Sequence, residues 1–314
     1  MRLQMPNHSQ LWRRPAIATW VQKTAAGTAK WAAFDICNNG LNVMVVSNTG
    51  TTGAVYTSTD GIATALTQIS AGTGHPLNGK YLSVTLAEDL SAIAIYPTSA
   101  EYTTNGSTWL GLVNSGTVTA SDAALRKVGG FASAHITNAT AAKYVRTDMG
   151  SAGKTHGLTD ARGVTMNDAK TKVIVCSYGS GCKYTTDFNV GTPTFTASAG
   201  IAGNITGVQT NYDGSLAMAT KDGGDVYDST DSGANFAVQS AWGTNTWQGC
   251  RISRDGTIRI AWTFSQIFRS IDSGVTVTDI SLPGGVGVIN CGMSSDGSKV
   301  ISGTYDGYIY IRGF

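Results

Sequence analysis

Charged side chains make up only 13% of this 314-residue chain, about half of the ~25% usual in globular domains. Glutamate is nearly missing, with Glu88 and Glu101 its two copies. Long solvent-facing helices draw on Glu, Lys and Arg, so the shortage argues against them. Net charge is +2, and basic residues cluster nowhere beyond Arg13-Arg14, which leaves no electrostatic footprint for nucleic acid. No apolar run approaches the ~20 residues of a membrane-spanning helix. The opening MRLQMPNHSQLWRRPAIATW puts His8, Ser9 and Gln10 where a secretory leader needs its apolar stretch, so export by that route is not expected. The five cysteines are irregularly spaced and form no C-x-x-C, so neither metal nor cofactor is expected. Cys250 and Cys291 each precede a turn glycine by six residues and read as small apolar residues of inner strands. Cys176 and Cys182 flank SYGSG and are placed to face each other across a hairpin.

What fills the chain instead is 39 glycines, with abundant Ser, Thr, Asn and β-branched residues. That is the composition of an all-β protein. A repeat organises it. STDSGANF at Ser229–Phe236 returns as SIDSGVTV at Ser270–Val277, and weaker copies centre on Asp60, Asn105, Asp148 and Asp187. Positions 60, 105, 148, 187, 231 and 272 are 45, 43, 39, 44 and 41 residues apart, the period of a four-stranded propeller blade. Tight turns at Asn38-Asn39-Gly40, Glu88-Asp89, Asn167-Asp168, Asp213-Gly214, Asp255-Gly256 and Asp296-Gly297 run in phase with these copies, each followed by a short apolar run. Such turns are hairpin signals. Each unit therefore reads as inner strand a, tight turn, strand b, variable loop, strand c, Asp turn, strand d.

The count gives a seven-bladed β-propeller of four-stranded antiparallel blades. They cover about residues 30–70, 80–114, 125–160, 161–199, 203–240, 245–282 and 286–314. A different reading of the third unit, whose first turn has no clear signal, would give six or eight. The last unit ends after three strands, and a bare strand edge invites aggregation. The segment 15–24, apolar over Pro15–Val21, is the natural fourth strand and ring closer. Residues 1–14 form no blade strand and read as a disordered terminus or as a docking arm anchored by Leu11, Trp12, Arg13 and Arg14.

The pattern Ser-x-Asp-x-Gly-x-x-aromatic resembles the Asp box, or BNR repeat, of sialidases, xyloglucanases, sortilin-like receptors, photosystem assembly factors and viral structural proteins. That resemblance implies the propeller fold; it does not choose among their functions. In such a turn the Asp accepts backbone N–H bonds, the Ser or Thr adds another, and Gly supplies an unusual backbone angle. The Asp residues at 60, 148, 187, 231 and 272 and Asn105 thus read as blade fasteners, on the face opposite the variable b–c and d–a loops.

A sialidase resemblance would further imply three arginines on a substrate carboxylate and a tyrosine nucleophile. Arg14-Pro15 is the nearest approach to the family's Arg-Ile-Pro, and Arg251, Arg254, Arg259 and Arg269 crowd one blade. A glycosidase needs two carboxylates across a cleft. Asp222, Asp225 and Asp306 are the candidates, in sequences that suit solvated turns far better. No Ser-His-Asp arrangement or phosphate loop is present. Exposed aromatics beside small polar residues suit sugar recognition, and Tyr96, Tyr178, Trp242, Trp247, Phe264 and Tyr305, with Asp222 and Asp306, are the expected ligand-binding residues. For Trp242 and Trp247, packing between blades is an equal expectation.

The Gly/Thr/Ser/Asn-rich, Glu-poor composition looks like that of bacteriophage particle proteins. The expectation is a non-catalytic virion propeller, made in the host cytoplasm and attached to a tail or capsid. Its N-terminal arm would dock on other virion proteins, its loops would meet neighbours or host surface carbohydrate, and a homo-oligomer within the particle is a further expectation. An extracellular glycoside hydrolase or an assembly factor are the alternatives.

Overall fold

The computed structural model describes residues 19–37, 40–49, 52–69, 83–87, 92–96, 99–103, 109–111, 120–125, 133–137, 143–144, 154–158, 160–188 and 192–314. Strand β1 (Trp20–Gln22) precedes the first blade, formed by β2 (Trp31–Ile36), β3 (Val43–Thr49), β4 (Thr52–Ser58) and β5 (Thr67–Gln68). The second contains β6 (Ser83–Leu86), β7 (Ala92–Tyr96), β8 (Ser99–Thr103) and β9 (Trp109–Gly111). In the third, β10 (Ala120–Leu125) pairs with β11 (Ser133–Thr137), and β12 (Lys143–Tyr144) with β13 (Lys154–Thr155). Next come β14 (Ala161–Met166), β15 (Val173–Ser177), β16 (Gly181–Thr185) and β17 (Thr196–Ala197), then β18 (Ile205–Thr210), β19 (Ala217–Lys221), β20 (Val226–Ser229) and β21 (Ala237–Val238). The sixth blade is β22 (Gly249–Ile252), β23 (Arg259–Trp262), β24 (Ile267–Ser270) and β25 (Thr278–Asp279). The seventh is β26 (Val288–Met293), β27 (Lys299–Thr304) and β28 (Ile309–Gly313), with β1 as its outer strand.

Each inner strand packs beside the next, from β2 through β6, β10, β14, β18 and β22 to β26, and β26 packs against β2. The molecule is therefore a closed seven-bladed propeller. Closure joins the two ends of the chain: Trp20, Val21 and Gln22 pair with Arg312, Ile311 and Tyr310. The Lys23 N–H donates to Ile309 O (2.7 Å) and the Trp20 indole to Ile280 O (2.5 Å). At the same seam Phe34 is fully buried, and its ring fills the space where Gly303 has no side chain. Any larger residue at 303 would collide with that ring. The expected docking arm, Asn105, Asp148 and the Pro15–Ala18 part of the expected closing strand lie outside the described residues.

Blades are joined by polar bonds as well as apolar contact. Buried Asp35 of β2 accepts the Leu86 N–H (2.7 Å) and the Thr85 hydroxyl (3.2 Å) of the second blade. On one face the a–b turns form a backbone chain: Asp168 N–H donates to Tyr212 O, Tyr212 N–H to Arg254 O, and Arg254 N–H to Ser295 O. Between the fifth and sixth blades, Arg259 is ion-paired with Asp228, both buried.

The repeated Asp turns connect strands c and d by one hydrogen-bond pattern. Ser229 Oγ donates to Asp231 Oδ1 (2.8 Å) while accepting the Gly233 N–H (2.9 Å); Asp231 accepts the Asn235 N–H (2.9 Å) and side-chain amide (2.6 Å). Around Asp272, Ser270 Oγ donates at 2.8 Å, and Thr276 donates its N–H at 2.8 Å and its hydroxyl at 2.6 Å. These donors hold Asp272 down to about 2, and Ser58 and Thr64 likewise lower Asp60 in its own turn. After each Asp two residues take left-handed backbone angles: Ser232 and Gly233 (φ 65° and 87°), Ser273 and Gly274 (φ 62° and 92°). At 187 the turn is longer, with Thr185 Oγ1 bound to Asp187 and the Thr194 N–H reaching it at 3.3 Å.

The serine is the buried member of the pattern, so its loss strands a buried N–H. Ser270→Ala should destabilise the protein by about 1–3 kcal/mol in chemical denaturation, the cost of leaving the Gly274 N–H without its acceptor. A change below the error of the measurement would show that the turn does not fasten the blade.

Candidate functional site

Strands alternate in direction, so the Asp turns share one face with the a–b turns, and the b–c tips share the other with the d–a connections. Four b–c tips in succession are tight, with two residues in the third and three in each of the others. The pair Ser177 and Gly181 brackets the first, the Lys221 N–H bound to Asp225 O the second, Thr263 N–H to Gln266 O the third, and Thr304 N–H to Tyr308 O the fourth. The first residue of each tip is Tyr178, Asp222, Phe264 or Tyr305, spaced 44, 42 and 41 residues apart. Three of the four are aromatic and stand in water: Tyr178 is 38% exposed, Phe264 51% and Tyr305 63%.

Backbone bonds fix these positions. The Tyr178 N–H donates to Asp160 O (2.9 Å), Asp222 N–H to Asn204 O (2.9 Å), and Tyr305 N–H to Gly287 O (3.1 Å). Phe264 O accepts the Val288 N–H (2.7 Å). A Cβ on Gly287 would lie 2.7 Å from the Tyr305 ring, so the missing side chain lets that ring approach the backbone. Phe264 and Tyr305 thus anchor to the same segment, residues 287–288, from either side.

Tyr178 and Asp222 meet across the fourth and fifth blades, the tyrosine hydroxyl donating to Asp222 Oδ2 at 3.0 Å. Asp222, by this bond and its charge, raises the Tyr178 pKa, which keeps the phenol protonated. The Arg162 guanidinium stands 5.3 Å from the Tyr178 ring centroid and is held by both oxygens of Asp160 (2.8 and 3.2 Å). Arg162 and Asp160 escaped sequence reasoning because a bulge in β14, between Ala161 and Gly163, turns Arg162 toward the tip. The Gly163 that follows was the available signal. Beneath this tip, Cys176 and Cys182 are directly opposite in β15 and β16 and form a disulfide.

Two expectations of ligand binding are corrected. Trp242 is 3% and Trp247 0% exposed, packed edge to face at 6.3 Å among Met218, Val226, Cys250 and Ala261. The connection carrying them folds back over the seam of the fifth and sixth blades, so neither ring is available to a ligand. Asp306 is occupied in its own turn, bonded by Thr304 Oγ1, and Asp225 by Thr244 Oγ1 (2.6 Å). The Tyr96 side chain lies outside the described residues. Among the described residues no three His, Cys, Asp or Glu side chains gather to hold a metal. His156 is buried, and burial, with the charge of Lys183, lowers its pKa to about 4, which leaves it neutral.

Similarity to known proteins is structural only. The chain superposes on YCF48 from Cyanidioschyzon merolae with a TM-score of 0.64 at 15% identity, covering 94% of this chain and 98% of that one. It also superposes on a chain of a crystal structure of the mitotic checkpoint complex, with a TM-score of 0.68 at 10% identity and coverages of 100% and 97%. At these identities the likeness carries the propeller fold alone. No family model matches the chain, and no curated protein matches it.

Burial and exposure separate packing from presentation. Trp247→Ala should cost about 3–5 kcal/mol of unfolding free energy, whereas Phe264→Ala and Tyr305→Ala should each cost less than about 1 kcal/mol. Equal losses at all three positions, measured by urea unfolding, would place the exposed rings in the packing as well.

Proposed function

We propose that this chain is a non-catalytic structural and binding propeller of a virus particle, presenting its b–c face to carbohydrate on a host surface. The observation that carries the reading is the row of exposed rings, Tyr178, Phe264 and Tyr305, at one repeat position. A solvent-facing aromatic that is rigidly held and adds little to the fold suits stacking on the apolar face of a sugar, much as rigid aromatics anchor other recognition surfaces. Asp222 and Arg162, beside Tyr178, supply an acceptor and donors for hydroxyl groups.

The opposite face supports the same reading by elimination. The carboxylates of Asp60, Asp231 and Asp272 are engaged by their own turns, as an Asp-box propeller requires of its blade fasteners. On the tip face, Asp222, Asp225 and Asp306 each have a partner of their own. Among the described residues, these bonds hold the three carboxylates within the tips themselves, which favours presentation over the paired acid and base a glycosidase needs. The disulfide suits a protein that works outside the reducing cytosol. Attachment to the particle through residues 1–14 completes the proposal, on the sequence features Leu11, Trp12, Arg13 and Arg14.

A glycan array probed with the full chain tests it. Binding is expected, with Tyr178→Ala and Tyr305→Ala each weakening it about tenfold while melting stays within about 2 °C of the parent, the small shift expected of exposed positions. Absence of binding to any glycan would overturn the carbohydrate reading. Turnover of an array glycan, abolished by Asp222→Ala, would replace it with a hydrolase.

A further inference from the structure

A second polar cluster lies on the other face, at the seam where the ring closes. Arg269 is in β24 of the sixth blade and Arg312 in β28 of the seventh. Their guanidinium carbons stand 3.8 and 5.0 Å from the centroid of one ring, that of Phe314. Each arginine is tied down by a single carbonyl: Arg269 Nη2 donates to Gly297 O (3.2 Å) and Arg312 Nη1 to Ile280 O (3.3 Å). Ile280 O also receives the Trp20 indole, so the pair is part of the closure itself.

Two cations gathered about one ring repel each other. Neither has a carboxylate partner among the described residues, whose ion pairs are Arg162 with Asp160, Arg254 with Asp168 and Arg259 with Asp228. Both Nε atoms are buried without a hydrogen-bond acceptor. Burial lowers the pKa of both groups, and for Arg269 the charge of Arg312 adds to it. A guanidinium resists deprotonation in proteins, so the charges persist and the repulsion must be met by something else. Each arginine keeps one Nη outside the carbonyl bonds just described. The π-face of Phe314 meets part of the charge, at a strength well below that of a charge-assisted hydrogen bond.

We infer that Arg269 and Arg312, flanking Phe314 at the closure seam, form a binding site for an oxyanion, with sulfate or phosphate as its simplest occupant. A bound oxyanion would accept N–H donors from the sixth and seventh blades at once and neutralise the paired charges. It would thereby brace the seam at which β1 closes the ring. Because β1 begins beside Arg312, where Trp20 pairs with it, the site adjoins the point at which the N-terminal segment meets the propeller. The same chemistry is available from a free anion or from a carboxylate of a protein docked on that face.

The test is calorimetric titration of the full chain with sulfate, phosphate and acetate, at an ionic strength held constant with chloride. Saturable binding at one site per chain is expected, weakened about tenfold or more in Arg269→Gln and in Arg312→Gln, as loss of a charge-assisted bond implies. Arg312 is in the strand that pairs with β1, so Arg269→Lys serves as the variant that keeps charge and packing; it should weaken sulfate several-fold by removing the planar fork. Acetate binding as tightly as sulfate would point to a protein carboxylate as the natural occupant, and preference for sulfate and phosphate to a tetrahedral anion. No saturable binding of any of the three, or binding unaltered in both glutamine variants, would overturn the site.

Discussion

Closure of the ring is the constraint on which the other features depend. Seven twisted sheets arranged about one axis leave no free inner edge only if the last meets the first, and here the meeting is made by strands from opposite ends of the chain. Three residues of β1 complete the seventh blade, and Phe34 of the first blade fills the space opened by Gly303 of the seventh. An open seam would expose β28 as an unpaired edge and the apolar cluster of Trp31, Phe34, Ile301 and Ile309 to water.

Once the ring is closed, the chemistry of each face follows from turn type. On one face the turns are self-sufficient: Ser and Asp side chains satisfy the backbone locally, and the a–b turns bond to their neighbours. That face is committed to holding blades together. On the other, the tips are held by backbone bonds, which leaves the first side chain of each tip free to differ between blades. Tyr178, Asp222, Phe264 and Tyr305 occupy that freedom. The division explains how one repeat supplies both a rigid frame and a variable surface, as in other folds where loops on a fixed scaffold carry recognition.

Much of this was legible from residue order. The period of the Asp turns, the in-phase a–b turns and the missing fourth strand of the last unit led to blade number and closure, because each rests on local turn chemistry that the fold leaves intact. Exposure was harder to read. Trp242 and Trp247 flank a Gly-Thr-Asn turn as a surface pair would, yet the connection folds back and buries them, a tertiary outcome with no local signature. Arg162 was missed for a related reason: a one-residue bulge in β14 re-aims a side chain that strict alternation would leave beside its strand. The meeting of Arg269 with Arg312 joins two blades, and spacing alone does not reveal it.

Backbone amide exchange of the full chain, read by mass spectrometry on peptides spanning residues 19–23 and 309–313, tests the closure most directly. If β1 is the outer strand of the seventh blade, amides of both segments should be protected to a degree comparable with the interior strand at 299–304, and should become exposed together as the protein unfolds. Rapid exchange at 19–23 while 299–304 stays protected would contradict the closure.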